Sequence, residues 1–191
     1  MTASTSKTEL RRSLLTLRQS MSVEQWQTNS QQLCKHLQAL PLFIHAQTIL
    51  AYFSVRQEPD LSSLFHLPKT WGFSRCVETQ LVWHQWSPIG SLPLQKGPFG
   101  ILEPDANAPL LEVEQIDLVL VPAVGCDQRG YRLGYGGGFY DRLFGSPEWT
   151  GKPTIGIVFD FAHVSQLPHD PWDQPLGAVC TETGIWKSQK G

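Results

Sequence analysis

Residues 132–141, RLGYGGGFYD, combine glycines, an arginine and an aspartate at close spacing, with four glycines falling within five residues. Glycines allow backbone N–H groups to approach a phosphate closely, and the start of a following helix adds positive potential. Arg132 adds a guanidinium fork that matches phosphate oxygens, and Asp141 adds a carboxylate of the kind that magnesium uses beside phosphates. The segment therefore predicts a phosphate-binding loop. A tight strand-to-helix turn is the alternative explanation of the glycines.

This loop matches neither of the two common glycine-rich nucleotide motifs. No Lys-Ser or Lys-Thr follows Gly138, as a Walker A motif requires, and the loop lacks the G-x-G-x-x-G register of dinucleotide-binding folds. Arg129, which precedes the loop, is a second candidate for contact with phosphate. Generic motifs therefore indicate an anion site and leave its ligand open.

Buried strands are expected around the loop. Residues 48–53 (TILAYF), 116–121 (IDLVLV) and 154–159 (TIGIVF) are short apolar runs, typical of strands covered on both faces of a parallel sheet. Residues 139–144 resemble the first turns of a helix, which would make the last two runs part of a βαβ unit. We therefore predict one α/β domain over residues 1–191, a three-layer αβα arrangement around a mainly parallel, Rossmann-like open sheet. Ligands of such sheets lie beyond the carboxyl ends of the strands.

Two helices are predicted before the first strand. Over residues 6–20, leucines recur at helical spacing, and the basic residues Lys7, Arg11 and Arg18 lie largely on another arc. A second helix begins at Ser22 in a capping-box pattern and should end near Pro41.

Other segments give weaker signals. Residues 70–77, 81–86 and 177–180 favour strands, whereas the proline- and glycine-rich residues 93–109 favour a long surface loop.

Composition limits the possible partners. The chain has 191 residues, of which 41% are hydrophobic and 17% charged, a balance typical of globular proteins. A formal charge of -2 and a pI near 6.3 give no overall attraction to nucleic acid or to anionic membranes, so we expect neither as a partner. Four scattered cysteines without a CxxC pair, and no signal peptide or membrane-spanning run, predict reduced thiols and a cytoplasmic protein.

The glycine-rich segment also resembles a known family. RLGYGGGFYDR at residues 132–142 is similar to the signature of the 5-formyltetrahydrofolate cyclo-ligases, also called 5,10-methenyltetrahydrofolate synthetases. The similarity continues in KTELR (7–11), in Glu58 after the first strand, in FGILEP (99–104) and in PWD (171–173). These collinear matches span nearly the whole chain.

The resemblance implies an activity. The family converts 5-formyltetrahydrofolate, which can carry a polyglutamate tail, to 5,10-methenyltetrahydrofolate, with ATP and Mg²⁺ required and ADP and phosphate released. A phosphorylated formyl group, an iminium phosphate, is the implied intermediate. A monomer is expected.

The resemblance assigns roles by position. Arg132 and Tyr140 are implied in catalysis, and Asp141 and Asp173 as magnesium ligands. The implied ATP contacts form two runs, namely Lys7, Thr8, Glu9, Leu10 and Arg11, and then Arg132, Leu133, Gly134, Tyr135, Gly136, Gly137, Gly138, Phe139 and Tyr140. The implied folate contacts are Arg11, Phe53, Glu58, Tyr135, Gly136, Gly137, Gly138 and Phe139.

Each role has an alternative. Lys7 and Arg11 could form a solvated helix face, Glu58 could be an ordinary turn residue, and Asp173 could cap a turn. For the whole chain, the alternatives are another phosphate-handling α/β enzyme, such as a sugar-phosphate isomerase or an enzyme acting on another formylated substrate, and a non-catalytic nucleotide- or RNA-binding module.

Overall fold

A twelve-strand, four-helix architecture is seen in the computed structural model, which describes residues 6–90 and 92–189. The helices are α1 (Lys7–Gln19), α2 (Val23–Ala39), α3 (Pro41–His45) and α4 (Phe139–Gly145). The strands are β1 (Thr48–Ala51), β2 (Thr70–Val77), β3 (Gln80–Gln85), β4 (Leu94–Lys96), β5 (Leu102–Pro104), β6 (Leu118–Pro122), β7 (Gly125–Asp127), β8 (Arg132–Leu133), β9 (Thr154–Ile157), β10 (His163–Val164), β11 (Ala178–Thr181) and β12 (Gly184–Lys187).

The main sheet has seven strands in the order β12-β11-β9-β6-β1-β2-β3. Its five central strands run parallel to one another, and an antiparallel strand closes each edge. The chain adds β2 and β3 on one side of β1, then returns to place β6 on the other side. The loops that leave β1 and β6 therefore diverge, and a crevice opens between them, which is where open α/β sheets bind their ligands.

Both faces of this sheet are covered. Alternate residues point to opposite sides, so Ile49 and Leu118 pack towards α2 and α3, whereas Leu50 and Val119 pack towards α1 and α4. Two hydrophobic clusters result, one on each face, and both are built from fully buried side chains. The predicted three-layer, mainly parallel α/β fold is confirmed.

The region predicted as a long surface loop, residues 93–109, instead contains the antiparallel hairpin of β4 and β5. Its glycines serve the hairpin turn, where Gly97 N–H donates to Ile101 O and Gly100 takes a left-handed φ of 73°. Glu103 then accepts from Cys76 N–H at 2.9 Å, which attaches the hairpin to β2. The proline and glycine content of this region had suggested irregular structure. The contact that attaches the hairpin to β2 joins residues 27 positions apart, so it left no local signal in the sequence.

Further differences concern helix and strand ends. The second helix ends near Pro41, as predicted, but Pro41 also begins a further short helix, α3. The first turn of a helix tolerates the missing N–H of proline. Ser22 caps α2 by accepting from Gln25 N–H, without the reciprocal side-chain bond of a full capping box. A small sheet of β10, β7 and β8 was not predicted because its strands have two or three residues, too few for a periodic signal, and the edge strand β12 was also not predicted.

All four cysteines carry free thiols, as predicted; Cys34, Cys126 and Cys180 are buried and Cys76 is partly buried. Among the described residues, no helix has the length and apolar character that a membrane span demands.

Candidate active site

The glycine-rich loop connects β8 to α4 beside the crevice between β1 and β6. Gly136 and Gly138 have φ values of 101° and 66°, a left-handed conformation that side chains with a Cβ rarely adopt. A side-chain carbon added at Gly136 would lie 4.0 Å from the Arg11 guanidinium carbon. The glycines thus shape a tight turn, as the alternative explanation holds, and the same turn brings the loop against a basic residue of α1.

Helix α1 supplies two of the predicted basic residues to this site. The Arg11 Nε donates to the carbonyl oxygen of Gly134 at 2.7 Å, so Arg11 contacts the glycine loop directly. The Lys7 Nζ lies 2.6 Å from a carboxylate oxygen of both Asp170 and Asp173. Neither residue therefore lies on a freely solvated face.

The other predicted residues of this helix play local parts. Glu9 completes a capping box with Ser6, since the Ser6 N–H and hydroxyl both donate to its carboxylate and the Glu9 N–H donates to the Ser6 oxygen. Thr8 is exposed, and Leu10 packs against the hydrophobic cluster below.

The contact between Lys7 and Asp173 joins two ends of the chain at the site. Burial alone would lower the pKa of Lys7, but its hydrogen bonds to Asp170 and Asp173 raise that pKa. Burial alone would raise the pKa of Asp173, but the bonds from Lys7 and from the Asp170 N–H lower it, and the charge of Arg132 lowers it further. Asp173 and Arg132 thus belong to one electrostatic neighbourhood.

Arg132 itself is buried beside the aspartate at the start of α4. Its Nη2 lies 2.7 Å from Asp141 Oδ1, its guanidinium carbon is 5.3 Å from the centre of the Tyr140 ring, and its Nε is buried without a hydrogen-bond partner. Burial raises the pKa of Tyr140, so its hydroxyl keeps its proton. An arginine with a free buried N–H is poised to bind an additional anionic oxygen.

Asp141 does not cap α4. The cap position is Gly138, which makes no side-chain cap bond, and the Asp141 carboxylate instead accepts from Arg132. Asp173 accepts from Lys7 and also from the Asp170 N–H, so it closes a local turn, as its alternative explanation holds, in addition to pairing with Lys7. Within the described ranges, no three His, Cys, Asp or Glu side chains are grouped closely enough to hold a metal by themselves.

Glu58 occupies the loop that leaves β1 and is 2% exposed. Its Oε1 accepts from the Tyr135 hydroxyl at 2.9 Å and its Oε2 from Val55 N–H at 3.2 Å. Burial raises the pKa of this carboxyl above its ordinary value, while the nearby Arg18 and the two hydrogen bonds oppose that rise. Tyr135 belongs to the glycine loop, which was predicted to contact both ATP and folate, so this bond joins that loop to Glu58, a predicted folate contact.

Arg18 is a site residue that sequence reasoning missed. Its charge and position on the helix arc suggested a solvent-facing side chain, but it is 3% exposed. It donates to the carbonyl oxygens of Arg56 and Ala123 and to the Tyr135 hydroxyl, and it lies 4.0 Å from Glu58. Arg18 repeats the arc of Lys7 and Arg11 along the same helix, but this position alone does not show whether the arc faces solvent or the interior.

Two predicted aromatic residues lie at separate parts of the site. Phe53 follows β1 and stacks on Phe73, with ring centres 4.2 Å apart, inside an aromatic cluster at this end of the sheet. Phe139 opens α4 and meets Phe99, which belongs to the hairpin turn between β4 and β5, at 5.7 Å. Phe99 is largely exposed, so the hairpin presents an apolar side chain beside the glycine loop.

Arg129 is not available for phosphate in the way predicted. Its guanidinium lies 2.7 Å from the carboxylate of Asp127, a fully buried residue of β7, and also donates to Leu167 O. Asp127 accepts in addition from the backbone N–H groups of Arg129, Tyr131 and Leu167. This carboxylate therefore joins the approach to the glycine loop to the segment that carries Asp173. A single aspartate in the segment GCDQRG, residues 125–130, gave no sequence signal for such a role.

Curated proteins from other organisms resemble this chain in sequence over most of its length. A curated 5-formyltetrahydrofolate cyclo-ligase from Escherichia coli is 29% identical over 89% of this chain and 97% of its own length. The corresponding protein of Mycolicibacterium smegmatis is 31% identical over 92% of this chain and 93% of its own length.

Solved structures agree. The 5,10-methenyltetrahydrofolate synthetase of Aquifex aeolicus superposes with a TM-score of 0.84 at 30% identity, covering 97% of this chain and 94% of that one. A synthetase of the same name from Mycoplasma pneumoniae, at 23% identity and a TM-score of 0.74, shares the fold. The sequence profile of 5-formyltetrahydrofolate cyclo-ligases matches residues 3–182, and the chain therefore belongs to the 5-formyltetrahydrofolate cyclo-ligase family.

Proposed function

We propose that this protein catalyses the ATP-dependent cyclisation of 5-formyltetrahydrofolate to 5,10-methenyltetrahydrofolate, with release of ADP and phosphate. The proposal depends most on one observation, namely that Tyr135 of the glycine loop bonds to the buried carboxylate of Glu58. This bond brings a phosphate-binding loop and an acceptor for a heterocycle into one crevice, as a reaction between ATP and a folate requires.

The folate side of the site is formed around Glu58. A pterin presents N–H and amino donors, and a carboxylate held by two hydrogen bonds in a buried loop can accept them at low cost in side-chain entropy. Phe53 and Tyr135 add flat surface for the ring. Arg11, which contacts Gly134, lies between this side and the nucleotide side.

The nucleotide side is formed by Arg132, Lys7 and the glycine-loop amides. Arg132 has a buried N–H without a partner, and a phosphate oxygen would satisfy it. Lys7 is held by two carboxylates, which orient its ammonium group near Arg132. Catalysis of phosphoryl transfer consists chiefly of positioning and charge neutralisation, so these residues suffice without a nucleophilic side chain.

Magnesium fits this arrangement as a partner of the nucleotide. Mg²⁺ uses one or two protein carboxylates and completes its shell with phosphate oxygens and water, which agrees with two aspartates and no larger cluster in the described residues. Asp141 and Asp173 would hold it, with Arg132 and Lys7 yielding part of their contacts. When bound, the ion neutralises phosphate charge.

The chemistry explains why ATP is needed. The formamide oxygen at N5 is a poor leaving group, so it takes the γ-phosphoryl group of ATP, with ADP as the leaving group, to give an iminium phosphate. N10 attacks the activated carbon and loses its proton, and the C–O bond breaks to release phosphate. The original formyl oxygen ends in that phosphate.

The RNA-binding alternative loses support from the pairing of the basic residues. Lys7, Arg129 and Arg132 each contact a carboxylate of the protein itself, so the positive charge on which that alternative relied is largely neutralised. A phosphodiester backbone needs a continuous basic surface.

One assay tests the reaction. The protein is incubated with 5-formyltetrahydrofolate, and the methenyl product is followed by its near-ultraviolet absorbance, with and without Mg²⁺ and ATP. Product should form only when both are added. Product without ATP would contradict the mechanism, and no product under any condition would contradict the function.

An isotope experiment tests the intermediate. Substrate labelled with ¹⁸O in the formyl group should transfer the label to inorganic phosphate, as mass spectrometry of the phosphate would show. Label that appears in water or remains with the folate would rule out phosphorylation of the formyl oxygen.

A further inference from the structure

Arg18 spans the crevice at the point where the sheet order reverses. From α1 it donates to Arg56 O in the loop after β1, at 3.0 Å, and to Ala123 O directly after β6, at 3.2 Å. These are the two loops that diverge at the switch point and form the walls of the crevice. Arg18 is 3% exposed and so nearly as buried as the hydrophobic core.

The loop that Arg18 holds is strained. Arg56 and Gln57, immediately before Glu58, both have left-handed φ values, 48° and 56°, which residues other than glycine adopt at a cost in free energy. Arg18 bonds to the carbonyl oxygen of Arg56, and the Gln57 side chain donates to Met21 O. The Glu58 carbonyl oxygen is held by Trp26 and Ser54. The loop is thus fixed in a conformation that it would not adopt alone.

The same guanidinium controls the Glu58 carboxylate. Arg18 donates to the Tyr135 hydroxyl, and that hydroxyl donates onward to Glu58 Oε1. Arg18 also lies 4.0 Å from the same carboxylate oxygen. Burial of the hydroxyl end and the charge of Glu58 raise the pKa of Tyr135, so the phenol keeps the proton that it donates to Glu58. Arg18, Tyr135 and Glu58 therefore form a chain of three groups with one direction of donation.

We infer that Arg18 is a positioning residue of the proposed reaction, which holds the Glu58 carboxylate ionised and oriented for the pterin and keeps Tyr135 of the glycine loop beside it. This inference rests on the proposed function. A merely structural arginine would stabilise the fold without acting on the affinity for one substrate.

The electrostatic consequence follows from the groups around Glu58. The charged groups facing it are Arg18 from α1 and Arg56 from its own loop, and the neutral phenols are Tyr135, Tyr52 and Tyr140. Burial raises the pKa of Glu58, and Arg18 is the largest influence that lowers it. Loss of Arg18 should therefore raise this pKa further, so that Glu58 becomes protonated at a higher pH.

The central experiment compares Arg18→Met with Arg12→Met. Arg12 lies on the exposed face of the same helix and serves as the matched control. Arg18→Met should raise the KM for 5-formyltetrahydrofolate by about ten-fold or more, because an ordered charge-assisted contact is lost, and should change the KM for ATP much less. Its folate KM should also begin to rise at a higher pH than in the parent as the solution is acidified.

Arg18→Lys and Tyr135→Phe keep the test decisive if Arg18→Met folds poorly, and a double variant with Glu58→Gln tests the link to Glu58. Arg18→Lys keeps the charge and loses the fork, so the pH profile should return towards that of the parent while the folate KM remains raised. Tyr135→Phe removes only the shared hydroxyl and should weaken folate binding, measured by calorimetry, in the same direction as Arg18→Met. In a Glu58→Gln background, Arg18→Met should produce no further change in the pH profile.

The outcomes separate two failures. A parent protein that neither binds nor converts 5-formyltetrahydrofolate overturns the proposed function and this inference together. An active parent, with Arg18→Met or Arg18→Lys equal to Arg12→Met in folate KM and pH profile, overturns the role of Arg18 alone. Equal increases in the KM values for folate and ATP, without a shift in the pH profile, would overturn the inference and assign Arg18 a structural role.

Discussion

At the scale of single residues, the site consists of cations held by carboxylates. Lys7 contacts Asp170 and Asp173, and Arg132 contacts Asp141. Such pairing keeps long side chains in one place before the substrate arrives, so that less freedom is lost on binding. It also means that a substrate anion must compete with these carboxylates for Lys7 and Arg132, unless a metal cation binds between the anion and the carboxylates.

The Asp141 carboxylate tests whether that cation is magnesium. In Asp141→Asn, the amide oxygen can still accept from Arg132. Asp141 makes no capping bond to α4 that could be lost, so thermal stability should change little. A neutral amide contributes no charge to a hard cation, so activity should fall strongly at limiting Mg²⁺ and recover in part at high Mg²⁺. The activity is measured over a magnesium titration.

Full activity of Asp141→Asn at limiting magnesium would refute the metal assignment. The ion pair with Arg132 would then be its whole role.

Arg132 tests the importance of the guanidinium fork. Arg132→Lys keeps the positive charge but replaces the planar guanidinium, whose Nη2 contacts Asp141 while its Nε has no partner, with a single nitrogen that cannot occupy both positions. We expect kcat to fall by about ten-fold or more with the fold intact, since a charge-assisted donor to the transferring group is lost. Steady-state kinetics measure this, with the exposed Arg12→Lys as the control. A kcat equal to that of the control would make Arg132 an ordinary loop residue.

At the scale of elements, sequence predicted α1, α2 and the parallel strands well because each carries its own apolar pattern, whereas the five-residue helix α3 was not predicted. The continuous apolar runs at residues 116–121 and 154–159 predicted β6 and β9. The leucine spacing over residues 6–20 predicted α1. The small sheet of β7, β8 and β10 carries no such signal, since its strands have two or three residues and depend on contacts between distant segments.

The same distinction applies to the site. Arg132, Asp141 and Glu58 could be found from motif positions, and the structure places each of them beside the glycine loop or the crevice. Arg18 could not, because only the fold shows that its arc faces the crevice rather than solvent. Asp127 could not either, because its partners come from two segments about 40 residues apart.

Asp127 gives the prediction at this scale. Asp127→Asn replaces one of two buried acceptor oxygens with an NH₂ group, which would face the N–H groups that donate to Asp127. It also removes the charged partner of Arg129. We expect a loss of about 3 kcal/mol in the free energy of unfolding, measured by urea denaturation.

Asp105→Asn is the matched control, because this aspartate closes a local turn with Asn107 that asparagine can also close, and its other bond, from the Gln95 side chain, is solvent-exposed. If the two variants lose equal stability, Asp127 does not organise the region.

At the scale of the whole molecule, the first helix and the last third of the chain meet through Lys7. Its partners Asp170 and Asp173 are 163 and 166 residues away in sequence. Partly exposed ion pairs contribute little to stability, so this contact is better understood as positioning than as a source of fold stability.

Lys7→Ala should therefore cost below about 1 kcal/mol in unfolding free energy and yet weaken ATP binding. Calorimetry with ATP measures the affinity, and the exposed Lys35→Ala controls for the loss of one positive charge. Unchanged affinity in Lys7→Ala would return this lysine to a purely structural contact.

The free thiols have a consequence for how the molecule's opening motions can be observed. Cys34, Cys126 and Cys180 lie in α2, β7 and β11, and burial raises the pKa of each thiol, that of Cys126 to about 12. Since alkylating reagents attack exposed thiolates, each cysteine should be labelled only when its own part of the protein opens. Mass spectrometry of the three peptides would then report local unfolding without an introduced probe. Labelling of all three at one rate would indicate that α2, the main sheet and the small sheet of β7, β8 and β10 open as a single cooperative unit.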